Sequence, residues 1–354
     1  RSGENAYAVS AYRDAVAAFE RALALLAGAT EAVSLRATLQ VRLGYALRQL
    51  SDYPTALAYL EQALALAQGD SALEVAALTG LGWALMGQGN YDAALQYLEP
   101  ALATARQSDN QRGVALALWH LADVAYRQGM SDTAAHYAWE CLSLYRALGD
   151  RQGIAGAFRV LGFVSHMRGD YDAALQYHEE SRRMYWELGD RWGVGTGFIN
   201  LGEAARKLGR FAEAADYYAQ SLPYFHEIGN RVGAAIATLN LGHVHLGLGD
   251  AAAARGYFRE AVVQAQELGA LAVLIEGVVG LAELYAHPET AAIAAGWLGW
   301  AQAHPAFNAE IAQFTDAPAE LLRACLGEAS FAEALTQGVA CTSDEIVKQV
   351  LELL

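Results

Sequence analysis

Leucine followed by glycine or alanine returns along this chain at a nearly constant spacing. The pairs are Leu43-Gly44, Leu81-Gly82, Leu121-Ala122, Leu161-Gly162, Leu201-Gly202, Leu241-Gly242 and Leu281-Ala282. The first step is 38 residues and the next five are 40. An aromatic residue with alanine three positions later keeps time with these marks at Tyr12/Ala15, Tyr53/Ala56, Tyr91/Ala94, Tyr171/Ala174 and Phe211/Ala214, fading to Ser131 and Ala251 in two units. Even whole phrases recur: "GNYDAALQY" at Gly89 to Tyr97 returns as "GDYDAALQY" at Gly169 to Tyr177. A fixed period of this length implies a stack of similar supersecondary units, none of which buries its apolar face alone.

Each unit reads as two helices. In the fifth, Val194 to Leu208 carries apolar residues at helical spacing, Gly209 supplies a left-handed stop, Phe211 to Ile228 forms the second helix, and Gly229 stops it again. Asp170, Asp190 and Asn230 follow such glycines and are placed to cap the next helix, whose first N–H groups need an acceptor. Much of the 54 % hydrophobic content is alanine, the strongest helix former and one small enough for close helix approach. Six prolines in 354 residues leave room for long helices. The expected fold is all-α.

Leucine and glycine in the first helix, with alanine and an aromatic at fixed offsets in the second, resemble the tetratricopeptide repeat (TPR) over about residues 5 to 303. The resemblance implies a superhelical solenoid of antiparallel helix pairs, with an N-terminal helix before about seven pairs. Two features depart from the usual pattern: the period exceeds the common 34 residues, and no proline closes each unit. Longer units of this kind are similar to those of bacterial sensor proteins and some eukaryotic peptide-binding adaptors.

After His287-Pro288 the period is lost. Helices are expected at Glu289 to Ala303, Ala319 to Leu326, Ser330 to Gln337 and Ser343 to Leu354, the last opened by a capping box at Thr342 to Glu345. The expected division is a solenoid over residues 1–303 and a helical capping segment over 304–354, closing an otherwise exposed end. The wording "AAGWLGWAQAH" and "LGEASFAEALTQGVACTSDEIVKQVL" resembles the closing segment of bacterial regulators in which a TPR sensor follows a signal-transduction ATPase with numerous domains (STAND), such as maltose-regulon-type activators. The opening "GENAYAVSAYRDAVAAFERALALL" resembles the point where such a sensor leaves its ATPase. The resemblance implies a sensor arm whose N-terminal partner is a STAND ATPase module. The chain itself contains no GxxxxGK[ST] phosphate loop.

Composition excludes several other functions. A formal charge of −15 repels phosphate backbones, so no direct nucleic-acid partner is expected. No apolar run reaches the roughly 18 residues of a membrane span, and no signal peptide opens the chain. Cys141, Cys325 and Cys341 are odd in number, far apart and without metal-ligand spacing, which points to a reducing, cytoplasmic setting and to buried, inert thiols. No catalytic constellation, cofactor motif or metal site is legible, and an enzyme is not expected.

First helices line the inner wall of a TPR solenoid, so residues flanking each leucine mark are candidates for recognition. One position before and two after the mark give Arg42 and Tyr45, Trp83, His120 and Asp123, Phe163, Asn200 and Glu203, and Asn240 and His243. Two positions before the leucine add Thr79, Trp119 and Arg159, and one turn beyond the mark lie Arg127, His166, Arg206 and Lys207. Aromatic faces, amides and both charge signs together suit a specificity groove better than a packing surface. Asn200 and Asn240 resemble the asparagines with which peptide-binding members of the fold hold ligand backbone, since an amide donates and accepts at once. The expected ligand is an inducer, whether a small molecule, a peptide or a protein; the alternative is a scaffold that holds a peptide or helix of a constitutive partner.

Overall fold

The backbone turns left-handed every twenty residues from residue 89 to residue 269. Glycines at 89, 129, 149, 169, 189, 209, 229, 249 and 269 have φ between 59° and 79°, and Asp109 takes the same place at 52°. Between these turns run helices of mostly 17 or 18 residues, so the sequence repeat of forty is two backbone repeats of twenty. Asn90, Asn110, Asp150, Asp170, Asp190, Asn230 and Asp250 follow directly, each accepting the third N–H beyond it through its side-chain oxygen. The caps expected at Asp170, Asp190 and Asn230 are therefore in place.

The computed structural model describes residues 3–26, 32–67 and 69–353. Arg1, Ser2 and Leu354, outer bounds of the expected solenoid and cap, lie outside the described residues. The described residues form nineteen α-helices and no strand. Helix α1 (Gly3–Leu25) precedes the pairs α2 (Val33–Gln49) with α3 (Tyr53–Leu66), α4 (Ser71–Gly87) with α5 (Tyr91–Gln107), and α6 (Gln111–Arg127) with α7 (Ser131–Leu148). Next come α8 (Arg151–Met167) with α9 (Tyr171–Glu187), α10 (Arg191–Lys207) with α11 (Phe211–Glu227), α12 (Arg231–Gly247) with α13 (Ala251–Leu268), and α14 (Leu271–Leu284) with α15 (Ala291–Ala303). The tail supplies α16 (Ala309–Ala312), α17 (Asp316–Leu326), α18 (Glu328–Val339) and α19 (Ser343–Glu352). Prolines do enter the interior of two helices, Pro100 in α5 and Pro223 in α11, each removing one backbone donor, while Pro54 and Pro318 sit in the first turns of α3 and α17.

By its contacts the chain divides into two compact units, Arg1–Gly197 and Phe198–Leu354. In the first, each first helix packs on its own second helix and also on the first helix of the next pair, as α2 on α4, α4 on α6 and α6 on α8. In the second, α12 and α14 pack in the same way. A row of first helices therefore forms one continuous face within each unit.

The leucine-glycine mark is where each pair closes. A Cβ on Gly44, Gly82, Gly162, Gly202 or Gly242 would overlap the side chain sixteen residues on, respectively Leu60, Leu98, His178, Tyr218 and Phe258. All five of these side chains are buried. In the third pair, where the mark is Leu121-Ala122, the same register brings Ala138, and both alanines are fully buried. Volume is thus exchanged across the pair, a large side chain facing glycine and a small one facing alanine.

Ion pairs tie the two ends of a pair together: Arg151 to Glu187, and Arg231 to Glu267 at 2.5 Å. Arg151 and Arg231, each at the start of a first helix, are thus braces, and such exposed pairs contribute at most about 1 kcal/mol each. In the second unit the tail packs on the last helix pair. Helices α17 and α18 pack on α15, while Gln266 donates to Asp344 at 3.1 Å and the Trp297 indole donates to Gln349 at 3.0 Å. Thr342 and Glu345 form the expected capping box of α19. The cysteines depart from expectation: Cys141 is buried and its thiol is pushed up to about 12 by desolvation, but Cys325 is exposed and Cys341 half-buried, because α17 and the end of α18 lie at the surface.

One glycine has no packing role. Gly256 is exposed within α13, and a Cβ there meets nothing within 4 Å. Gly256→Ala is expected to stabilise the chain by about 0.8–1 kcal/mol, the helix-propensity difference, measured as a higher urea midpoint.

Candidate functional site

In the first unit, the row of first helices carries an aromatic ladder. Tyr45 of α2 meets Trp83 of α4 edge-on at 5.7 Å, Trp83 lies 5.8 Å from His120 of α6, and His120 lies 5.0 Å from Trp119. Farther along, Phe163 of α8 stacks on Tyr126 at 5.1 Å and meets His178 edge-on at 5.3 Å. Tyr45 is held by its hydroxyl, which donates to the Ala76 carbonyl at 2.9 Å. Thr79 is buried and bonded to the Val75 carbonyl, so it supports Tyr45 and does not face outward.

Charges flank this ladder. Arg48, one helical turn beyond Tyr45, lays its guanidinium over Trp83 at 3.5 Å and donates from Nε to the Trp83 carbonyl at 3.2 Å. Desolvation lowers its pKa to about 10, which leaves it cationic at neutral pH but poorly hydrated. Asp123 is half-buried, 3.6 Å from the Arg127 guanidinium, and Arg127 itself is exposed. Arg159 lies 5.5 Å over Phe163 and reaches the hydroxyl of Tyr185 on α9. Arg42 is exposed on α2, where Tyr45 and Arg48 make the contacts to Trp83.

Two polar atoms on this face, Trp119 Nε1 and Arg159 Nε, are enclosed yet have no hydrogen-bond partner, and a third, Asp123 Oδ1, has only its 3.6 Å ion pair with Arg127. Trp119 rests against α8 at Gly156, where a Cβ would lie 3.2 Å from the indole ring. His120 feels the charges of both Arg48 and Arg159, and Arg48 feels Asp123, so these groups form one neighbourhood. Leaving such atoms unpaired costs about 1–3 kcal/mol each unless a ligand or water meets them.

Two histidines here are locked neutral. Burial first, and neighbouring cations second, lower His120 and His178 to about 3. Neither can serve as a general base at neutral pH. Because the folded value lies below the unfolded value of about 6.5, the stability each contributes is complete above pH 6.5 and lost as pH falls toward 3. Taking the chain from pH 7 to pH 5 is expected to cost about 2 kcal/mol through His178 alone. Urea midpoints at the two pH values check this, and the pH dependence should shrink by that amount in His178→Ala.

In the second unit, Asn200 and Asn240 are half-buried on α10 and α12, and the Asn200 amide nitrogen has no acceptor. Glu203 grips Arg206 with both oxygens, at 2.9 and 2.6 Å, and accepts from the Tyr218 hydroxyl at 3.2 Å. His243 is buried, its Nε2 2.9 Å from Glu276. Of the positions two after the mark, Tyr45, Trp83 and Phe163 join the aromatic ladder and His243 is buried, whereas positions one before it vary from exposed Arg42 to buried His120. Arg48 lies five residues after its mark, the same offset as His166 and Arg206, and its place over Trp83 is set by the neighbouring pair and not by spacing. Phe314, which contacts His243, escaped the sequence filter because it lies in the non-periodic tail. Among the described residues no three His, Cys, Asp or Glu side chains come together as a metal site, and no helix is long and apolar enough to cross a membrane.

A family model described as tetratricopeptide repeat matches residues 35–107, 113–186 and 194–267, and a second of the same description matches 79–138. No curated protein sequence matches. Among solved structures, a Rap protein complexed with Competence and Sporulation Factor is similar over 99 % of both chains, at 17 % identity and a TM-score of 0.67. Aspartyl phosphate phosphatase F from Bacillus subtilis is similar over 100 % of this chain and 95 % of its own, at 14 % identity and 0.63. A STAND protein with a tetratricopeptide repeat sensor from Pyrococcus horikoshii is similar over 70 % of this chain and 38 % of its own, at 18 % identity and 0.59. At these identities the likeness is one of fold.

Proposed function

Since the chain belongs to the tetratricopeptide-repeat family, we propose that it is a ligand-sensing arm of a regulator, binding an inducer on its first-helix face. The observation that carries this is the pair of enclosed, unpartnered donors Trp119 Nε1 and Arg159 Nε beside aromatic rings, with Asp123 Oδ1 enclosed nearby and met only by the Arg127 ion pair at 3.6 Å. Two donors and an acceptor against apolar walls are what a specificity pocket offers a ligand. Tyr45, Trp83, His120, Arg127 and Phe163 complete the surface in the first unit; Asn200, Glu203, Asn240 and His243 are its counterparts in the second. The role is recognition without turnover, in a reducing compartment, with residues 304–354 as the closing cap. The relayed output is a STAND-type nucleotide switch, a reading supported by the sequence of the tail and by the sensor named in the Pyrococcus protein. Relay requires that the ligand favour one arrangement of the repeats over another, since equal affinity shifts nothing.

The test is a thermal-shift screen of the chain with sugars, nucleotides, amino acids and peptides. A ligand present at a hundred times its Kd should stabilise the folded state by about 2.7 kcal/mol. The expected result is a saturable rise in Tm that disappears in Trp119→Ala with Arg159→Ala. A rise undiminished in that double variant would place recognition elsewhere. A second reading, a scaffold for a constitutive peptide or helix, draws on the ladder's length: Tyr45 to Phe163 runs over four helix pairs, which suits an extended partner.

A further inference from the structure

The first-helix row of the second unit already has an occupant. Between α15 and α17 the chain leaves the helical rhythm from His304 to Thr315, interrupted only by the short α16. The end of this segment lies against residues of α10 and α12. The Phe314 ring stacks on the His243 imidazole with centroids 4.1 Å apart and planes 21° from parallel. The Arg206 guanidinium lies 5.4 Å from the centroid of the same ring, and Lys207 Nζ donates to Gln313 Oε1 at 2.9 Å.

Both groups that receive Phe314 are oriented by other partners. Glu203 fixes the guanidinium fork of Arg206 and is itself fixed by Tyr218. Glu276 holds His243, whose ring also meets Phe258 edge-on at 4.9 Å. A cation and an imidazole held this way form a slot suited to an aromatic ring through cation–π attraction and stacking. The segment also divides into anchor and tip. Ile311 is 1 % exposed and belongs to the core, whereas Phe314 is only half-buried and Gln313 is exposed.

We propose that the Arg206–His243 slot is a binding site for an aromatic side chain of a peptide partner, and that Phe314 fills it in cis. The inference rests on the reading above for the premise that first-helix rows recognise ligands and shares with it Glu203 and His243; Trp119, Asp123 and Arg159, which carry that reading, play no part in it. A tethered occupant reduces apparent affinity to the fraction of time the slot is empty. A partner peptide must therefore displace the tip, while Ile311 keeps the segment attached.

The probe is a fluorescein-labelled peptide, Ile-Ala-Gln-Phe-Thr-Asp, copied from residues 311–316 and titrated by anisotropy against the full chain. Phe314→Ala is expected to bind it at least tenfold more tightly than the unaltered chain. The gain should vanish when the peptide's Phe is replaced by Ala, and again when Arg206→Ala is added to the protein. A folded Phe314→Ala chain with unchanged affinity, or with affinity indifferent to the peptide's Phe, would overturn the proposal and leave Phe314 a packing residue. Should Phe314→Ala not fold, Lys207→Ala decides: it removes only the tether to Gln313, and the proposal requires a several-fold gain at unchanged Tm. Trp119→Ala, in the first unit, should leave this binding intact, so failure here would not count against recognition at Trp119.

Discussion

Replacing Gly338 by alanine is expected to detach α18 from α15 and destabilise the second unit by about 3 kcal/mol or more. A Cβ there would overlap the carbonyl group of Gly296, and on the facing helix a Cβ at Gly299 would overlap the carbonyl of Leu335. In both cases the obstacle is backbone, which cannot turn aside as the end of a side chain can. Overpacking costs about 1–3 kcal/mol where side chains give way and more where they cannot. Separation would also expose Phe331 and Ala334, now 2 % and 5 % exposed. Hydrogen exchange checks the prediction: α18 amides should exchange rapidly in Gly338→Ala, while those of α6 to α8 in the first unit keep their protection. Uniform protection across α18 would show that the close approach is not needed.

The second large effect tests the exchange of volume at the leucine-glycine marks. Leu98→Ala should cost about 3 kcal/mol, because a fully buried side chain leaves a cavity that its neighbours fill only in part. Gly82→Ala should cost about 2 kcal/mol, since the new Cβ would lie 2.5 Å from Leu98 Cγ. Together they recreate the alanine facing alanine that the third pair already uses at Ala122 and Ala138. The double variant should therefore lose about 3 kcal/mol, well short of the summed 5, a coupling that a double-mutant cycle in urea resolves. Simple additivity would mean that the two positions do not share the space.

Much of the fold was legible in the sequence because helix ends are written in single residues. A glycine in the left-handed region, in most turns followed by a capping Asp or Asn, fixes where one helix stops and the next begins, and the glycine persists even before Met130, Arg210 and Ala270, where no side chain caps. Phe211 could thus be placed at a helix start, and Thr342 at a capping box, without reference to any contact. The site was legible only in part. Spacing singles out Tyr45, Trp83 and Phe163, which join the ladder of the first unit, but it does not reveal that Thr79 turns inward to support Tyr45, or that Arg48 lies flat on Trp83. Those depend on rotamers and on the neighbouring pair. The return of Phe314 to His243 crosses 71 residues without a periodic signal, so no rule of spacing could anticipate it.

The twenty-residue beat of left-handed turns constrains how a chain like this can change length. Connections such as residues 128–130 hold three residues, the middle one left-handed, and leave no slack. One residue inserted inside α6 would rotate everything after it by about 100° about the helix axis, moving Asp123 off its face. Forty residues removed from one cap to the equivalent cap, such as Asn110 through Gly149, would instead bring Asp150 to the place Asn110 held, with the same turn before it and the same N–H groups ahead. Length in this molecule is therefore quantised, and growth or loss by whole helix pairs is the change that its backbone absorbs without a new solution at either end.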